Sequence, residues 1–178
     1  MLGEYKNFPK NIQGIALLRY QESTKSIQKT ILHTFNKLNQ DISNFFDVTP
    51  YLCQNCKVGF EFGIADSIDF IFLDNKVLER CERNLSENNW NSIDFFIIIC
   101  YYRIKEDNKR VPLKFDSHII RFIFYKDFLE LQIHHEKGPQ HISLDDLTDF
   151  ITKKINSELS QQKLSPMILQ DFSKVGLR

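Results

Sequence analysis

Ile119-Ile120-Arg121-Phe122-Ile123-Phe124-Tyr125-Lys126-Asp127-Phe128-Leu129-Glu130-Leu131-Gln132-Ile133-His134-His135-Glu136 decides the fold. From Phe128 onward, apolar and polar residues alternate: Leu129, Leu131 and Ile133 against Glu130, Gln132 and His134. A period of two marks a strand with one face in the core. Ile119 to Tyr125 is rich in Ile, Phe and Tyr and reads as the preceding strand. Only Lys126 and Asp127 separate the two runs, which predicts a two-residue hairpin turn.

Pairing Tyr125 with Phe128 sets the ladder. Phe124 then faces Leu129, Phe122 faces Leu131, Ile120 faces Ile133 and His118 faces His135. Six of these eight side chains make an apolar cross-strand surface, with the two histidines at its end. Arg121, Glu130, Gln132 and His134 fall on the opposite, solvated face. A slip of one residue would put the Leu and Phe side chains in water, so the register is strongly specified.

Working outward, Gly14 to Tyr20 reads as a first strand. Ser23 caps a long helix with Ile27, Ile31, Phe35, Leu38, Ile42 and Phe45 on one stripe. Residues 57–62 and 68–73 are strands, and Asp74 opens a short helix through Val77, Leu78, Cys81 and Leu85. Ile93 to Ile104 is apolar on both faces through Phe95 to Tyr102, as in a central strand. Pro112 stands at the start of the next strand, after the charged loop Glu106 to Arg110. Ser143 caps a last helix with Asp146 in the place of a capping-box Glu. In the tail, Ser165-Pro166 predicts a short helical turn.

The order β-α-β-β-α-β-β-β-α plus a helical tail predicts an α+β fold. One mostly antiparallel sheet of about six strands carries three helices. The division is a single domain over 1–164 and an apolar tail over 165–178. From the first long helix onward the element order is similar to that of the profilin and roadblock type of sandwich. No motif stands behind that likeness.

At 178 residues the chain can bury a sizeable core, and 16 Phe and 6 Tyr supply bulky groups for it. Lys plus Arg equals Asp plus Glu at 23 each. Zero net charge argues against a general nucleic-acid binder. The longest apolar run falls far short of the roughly 18 residues that cross a bilayer. The N-terminus lacks the layout of a signal peptide. The expectation is a cytoplasmic protein with no membrane partner and with its four cysteines as reduced thiols.

Cys53-Gln54-Asn55-Cys56 is the sharpest local motif. Two thiolates at this spacing can chelate zinc, but a structural site needs four ligands and no second such pair exists. Cys53, Cys56, His118 and His135 are therefore the candidate metal set, while the expected protein has no cofactor. His118 and His135 could equally act as an acid–base pair. Asp145, Asp146 and Asp149 suit the positive end of a helix dipole. No phosphate loop, nucleophile elbow or zincin motif is present.

Met167, Ile168, Leu169 and Phe172 put four large apolar groups into six residues, which marks an interaction element. The function expected is thus non-enzymatic: protein–protein contact, as a self-associating chain or as an assembly subunit. The alternatives are a metal-binding protein or small enzyme using Cys53, Cys56 and nearby histidines, and a nucleic-acid-associated subunit.

Overall fold

The structure, a computed structural model, describes residues 1–40, 42–44 and 56–175. Its strands are β1 (Gly14–Arg19), β2 (Ile42–Asn44), β3 (Cys56–Asp66), β4 (Asp69–Phe72), β5 (Ser92–Ile104), β6 (Arg110–Phe124), β7 (Phe128–Lys137) and β8 (Ile168–Lys174). Its helices are α1 (Thr24–Leu38), α2 (Asn75–Glu87) and α3 (Leu144–Gln161). All strand pairings are antiparallel, in the order β2-β3-β5-β6-β7-β1-β8, with β4 hydrogen-bonded to β3 off that path. The fold is α+β, with two more strands than expected. Among the described residues no helix is long and apolar enough to cross a membrane.

The β6–β7 hairpin has the register read from its alternation. Phe124 pairs with Leu129, Phe122 with Leu131, Ile120 with Ile133 and His118 with His135. Tyr125 donates its amide to the Phe128 carbonyl at 2.9 Å, which closes the two-residue turn. Leu129, Leu131, Ile133, Ile120 and Phe122 are fully or almost fully buried. Phe35 of α1 stacks on Phe62 of β3 at 4.1 Å and meets Phe95 of β5 edge-on at 4.8 Å. Phe150 of α3 stacks on Phe60 of β3 at 4.6 Å. Offset and edge-on geometries of this kind add about 0.5–1.5 kcal/mol per pair beyond area burial.

Local sequence explains the helix starts. Ser23, Asp74 and Ser143 each accept an amide from three residues on: Ser26, Val77 and Asp146. Ser143 also donates its hydroxyl to Asp146 Oδ2 at 2.8 Å, a side-chain contact in place of the reciprocal bond to the Ser143 amide that a capping box would make. α1 lies between α2 and α3, and buried residues of all three share one core with the sheet. That makes two layers, not the sandwich suggested by element order.

Three expectations are corrected. The α1 stripe does not continue through Ile42: the helix ends at Leu38, and Ile42 belongs to β2. Asn39 stops it, accepting the Phe62 amide at 2.6 Å and donating to the Phe62 carbonyl at 3.1 Å. Phe45 lies outside the described residues. The tail forms no helical turn; Ile168–Lys174 is a strand paired with β1. Finally, the face carrying Arg121 and His134 is not open to water. Residues 1–13 run over it, with Phe8 under the Arg121 guanidinium at 4.0 Å and the Asn11 carbonyl 2.8 Å from His134 Nδ1.

Candidate functional site

β5, β6 and β7 carry Tyr101, Asp116, His118 and His135 to one end of the core face. The residue types there break the apolar pattern abruptly. Asp116 has no solvent exposure and accepts the Tyr101 hydroxyl at 2.5 Å. It also accepts the backbone amides of Gln140 at 2.6 Å and His141 at 3.1 Å. His135 Nε2 approaches Oδ1 to 3.5 Å. Burial pushes the Asp116 carboxyl up. The hydrogen bonds from Tyr101, Gln140 and His141, with the His135 ring close by, outweigh this and hold it below the ordinary carboxylate value.

The two amides come from the strap 138–143, which leaves β7 and enters α3. Gly138 at φ 112° and Gln140 at φ 52° turn the chain back over β6. A Cβ on Gly138 would lie 2.4 Å from both Asp116 Oδ1 and the Phe115 carbonyl oxygen. Only glycine fits that approach, and its positive φ favours glycine independently. The His141 ring then meets Tyr101 edge-on at 5.1 Å.

His118 is the anomaly of this cluster. It has no exposure, and neither ring nitrogen has a hydrogen-bond partner; His135 Nε2 likewise has none. The two rings are 5.0 Å apart, tilted by 58°. Burial, then the neighbouring His135, pushes the His118 imidazole down to about 4. It is therefore neutral at pH 7. An unsatisfied buried polar group costs about 1–3 kcal/mol, so this arrangement is not explained by stability.

The other candidate residues are dispersed. Cys56 lies opposite Arg103 on β5, whereas His118 lies opposite Ile97. Six residues of strand separate those levels, about 20 Å. Cys56 is also disulfide-bonded, against the expectation of four reduced thiols, while Cys81 and Cys100 are free. Cys53 lies outside the described residues. Among the described residues no three His, Cys, Asp or Glu side chains are placed to hold a metal ion. Burial pushes the Cys81 thiol up to about 12, which makes it an inert core thiol.

The tail residues divide. Met167 is buried and Phe172 packs against the core, whereas Ile168 is 55% exposed and Leu169 36%. As an edge strand, β8 carries Asp171, Lys174 and a register shift opposite Leu17/Leu18, features that blunt an edge against further pairing.

The sequence reading missed a second surface. Beyond Asp116, β6 runs past the end of β7, paired with β5 alone on one side and joined to it by residues 105–109; β5 itself stays paired with β3 as far as Arg103, and this end of the β5–β6 hairpin is called the arm. From Arg110 to Phe115 every residue but Val111 is exposed, on both strand faces. Leu113 is 44% exposed and Phe115 51%. Residues 102–115 hold Arg103, Lys105, Lys109, Arg110 and Lys114 against Glu106 and Asp107. The signal was this basic excess in a chain of zero net charge. It was obscured because Val111, Leu113 and Phe115 alternate like core positions.

No protein-family model, curated protein or solved structure matches the chain.

Proposed function

We propose that this chain is a non-enzymatic protein-contact module whose β5–β6 arm docks an acidic segment of a partner protein. One observation carries the reading: strand residues 110–115 are exposed on both faces, with Leu113 and Phe115 among them. Exposed apolar side chains rimmed by charge are what a contact surface presents. Five cations against two acids select an acidic partner and speed its encounter. Contact is centred on the arm and not on the tail, because Met167 and Phe172 are spent inside their own chain.

A photoreactive side chain at position 115, in full-length protein expressed in cells, tests this. The control position is the exposed Glu79 of α2. A discrete protein adduct at 115 alone, lost with Leu113→Ser, supports the reading; an adduct of twice the chain mass identifies self-association. Equal labelling at both positions refutes it. An adduct to nucleic acid, with strongly salt-dependent binding, transfers the arm to the phosphate-contact class.

A further inference from the structure

We propose that buried His118, with His135 beside it, is a proton-sensitive latch at the root of the arm. Protonating His118 releases the Asp116 tie, and with it the strap that lies over β6 at Phe115. The inference rests on the contact role proposed for the arm and adds its regulation.

The geometry links the parts in order. Asp116 is the residue next to Phe115, where the arm leaves the core. Its carboxylate joins three segments: β5 through Tyr101, the strap through Gln140 and His141, and β7 through His135. Gly138 of the strap packs on the Phe115 backbone itself. The strap therefore holds the arm at its first exposed residue. His118 sits two residues further along β6, on the same face.

A proton on His118 has nowhere to be shared as the cluster stands, since both ring nitrogens lack partners. The titratable groups acting on it are His135 and His134 of β7 and Asp116 of its own strand. Tyr101 of β5 reaches it through Asp116, while His141 of the strap meets Asp116 by its backbone amide and sets its ring against Tyr101. α3 sends Leu144, Leu147, Thr148 and Ile151 into the interior, while Asp145, Asp146 and Asp149 are exposed. Ala16 and Leu18 of β1 are buried and uncharged. A cation at His118 thus has one counter-charge within reach, Asp116, both of whose oxygens already accept from the strap amides and Tyr101. Solvating the cation requires that this carboxylate turn away from the strap or that water enter beneath it.

The folded imidazole titrates at about 4 against an ordinary 6.5. An opened form with a normal imidazole then gains about thirtyfold over the closed form at pH 5, and nothing at pH 7.5. Amide hydrogen exchange of the full chain reads this directly. Gln140 and His141 amides, corrected for the intrinsic pH dependence of exchange, should lose about thirtyfold protection between pH 7.5 and pH 5. The Leu131 amide in the sheet interior, which exchanges through global opening, should stay better protected than the strap at both pH values. His118→Leu should abolish the loss; His135→Leu, which removes the second imidazole, tests the same coupling if the first variant does not fold. Two results overturn the latch: an unchanged pH response in a folded His118→Leu protein, or strap amides whose protection equals that of Leu131 at both pH values, which would mean that the strap opens only with the whole fold. Neither touches the cross-link at position 115 at neutral pH, so the contact role and its regulation fail separately.

Discussion

Arg121 grips Asp94 from the neighbouring strand with two nitrogens, Nε to Oδ1 at 2.7 Å and Nη2 to Oδ2 at 2.6 Å. Asp94 is wholly buried and also accepts the Tyr5 amide at 2.7 Å. Burial pushes its carboxyl up, with Arg121 and Tyr5 offsetting this in part; the same pairing pushes the guanidinium up. Both rise, for different reasons: burial dominates at Asp94, and the bond to Asp94 dominates at Arg121. Breaking a buried pair from one side leaves the other charge without compensation. Arg121→Ala should cost about 3–5 kcal/mol in denaturant unfolding. The double variant Arg121→Met with Asp94→Leu should recover much of that. A cost below about 1 kcal/mol for the single variant would show that the N-terminal segment leaves this face wetter than described.

The hairpin register predicts unequal effects at adjacent positions. Leu131 is fully buried, whereas Gln132 is partly exposed and donates to Glu130 at 2.6 Å. Leu131→Ala should cost about 2–5 kcal/mol. Gln132→Ala should stay within about 0.5 kcal/mol of wild type. Urea midpoints of the two variants settle the matter, and equal shifts would count against the pairing.

Gly138→Ala tests the strap. The added methyl meets backbone and carboxylate at 2.4 Å in a conformation that L residues rarely adopt. The loss of stability should exceed about 1 kcal/mol. The exchange protection of the Gln140 and His141 amides should fall even where the protein remains folded. Protection unchanged from wild type would mean that the strap does not depend on this glycine.

The tail should behave as part of the sheet. Asn156 of α3 donates to the Met167 carbonyl and accepts the Met167 amide, both at 2.8 Å, which pins the chain just before β8. Asn156→Ala should cost about 1–3 kcal/mol. Deleting residues 165–178 should lower the melting temperature and expose one edge of β1. A deletion that changes oligomeric state by light scattering, with the melting temperature intact, would restore the tail as an interaction element.

Acid should weaken the fold through His118. Its folded imidazole titrates at about 4, below the 6.5 of an ordinary imidazole. The unfolded chain therefore takes up the proton first. This stability is fully present above about pH 6.5 and declines by about 3 kcal/mol as pH falls toward 4. Asp116 adds a further loss below the ordinary carboxylate range, because its folded carboxyl is held low. His118→Leu should flatten the pH dependence of unfolding between pH 6.5 and 4 while leaving stability at pH 7.5 equal or higher. A parallel curve displaced downward would place the acid sensitivity elsewhere.

The sequence by itself determined what short-range periodicity can determine. Alternation through Phe128–Glu136 and a two-residue turn set the β6–β7 pairing out to His118 and His135, because a one-residue slip exposes every apolar side chain at once. The caps Ser23, Asp74 and Ser143 were legible for the same reason: each acts over three residues. Tertiary structure decided what depends on distant partners. Ser165-Pro166 satisfies the local rule for a helix start, yet the free hydrogen-bonding edge of β1 draws residues 168–174 into the sheet. The α1 stripe continues beyond Leu38 in sequence, but Asn39 meets Phe62 and the helix ends. Asp116 shows no pattern of its own; it becomes a centre only when Tyr101, Gln140 and His141 converge on it across 15 to 25 residues of chain. Periodicity states which face a residue occupies. What covers that face, and whether anything does, is set by contacts between residues far apart in the chain.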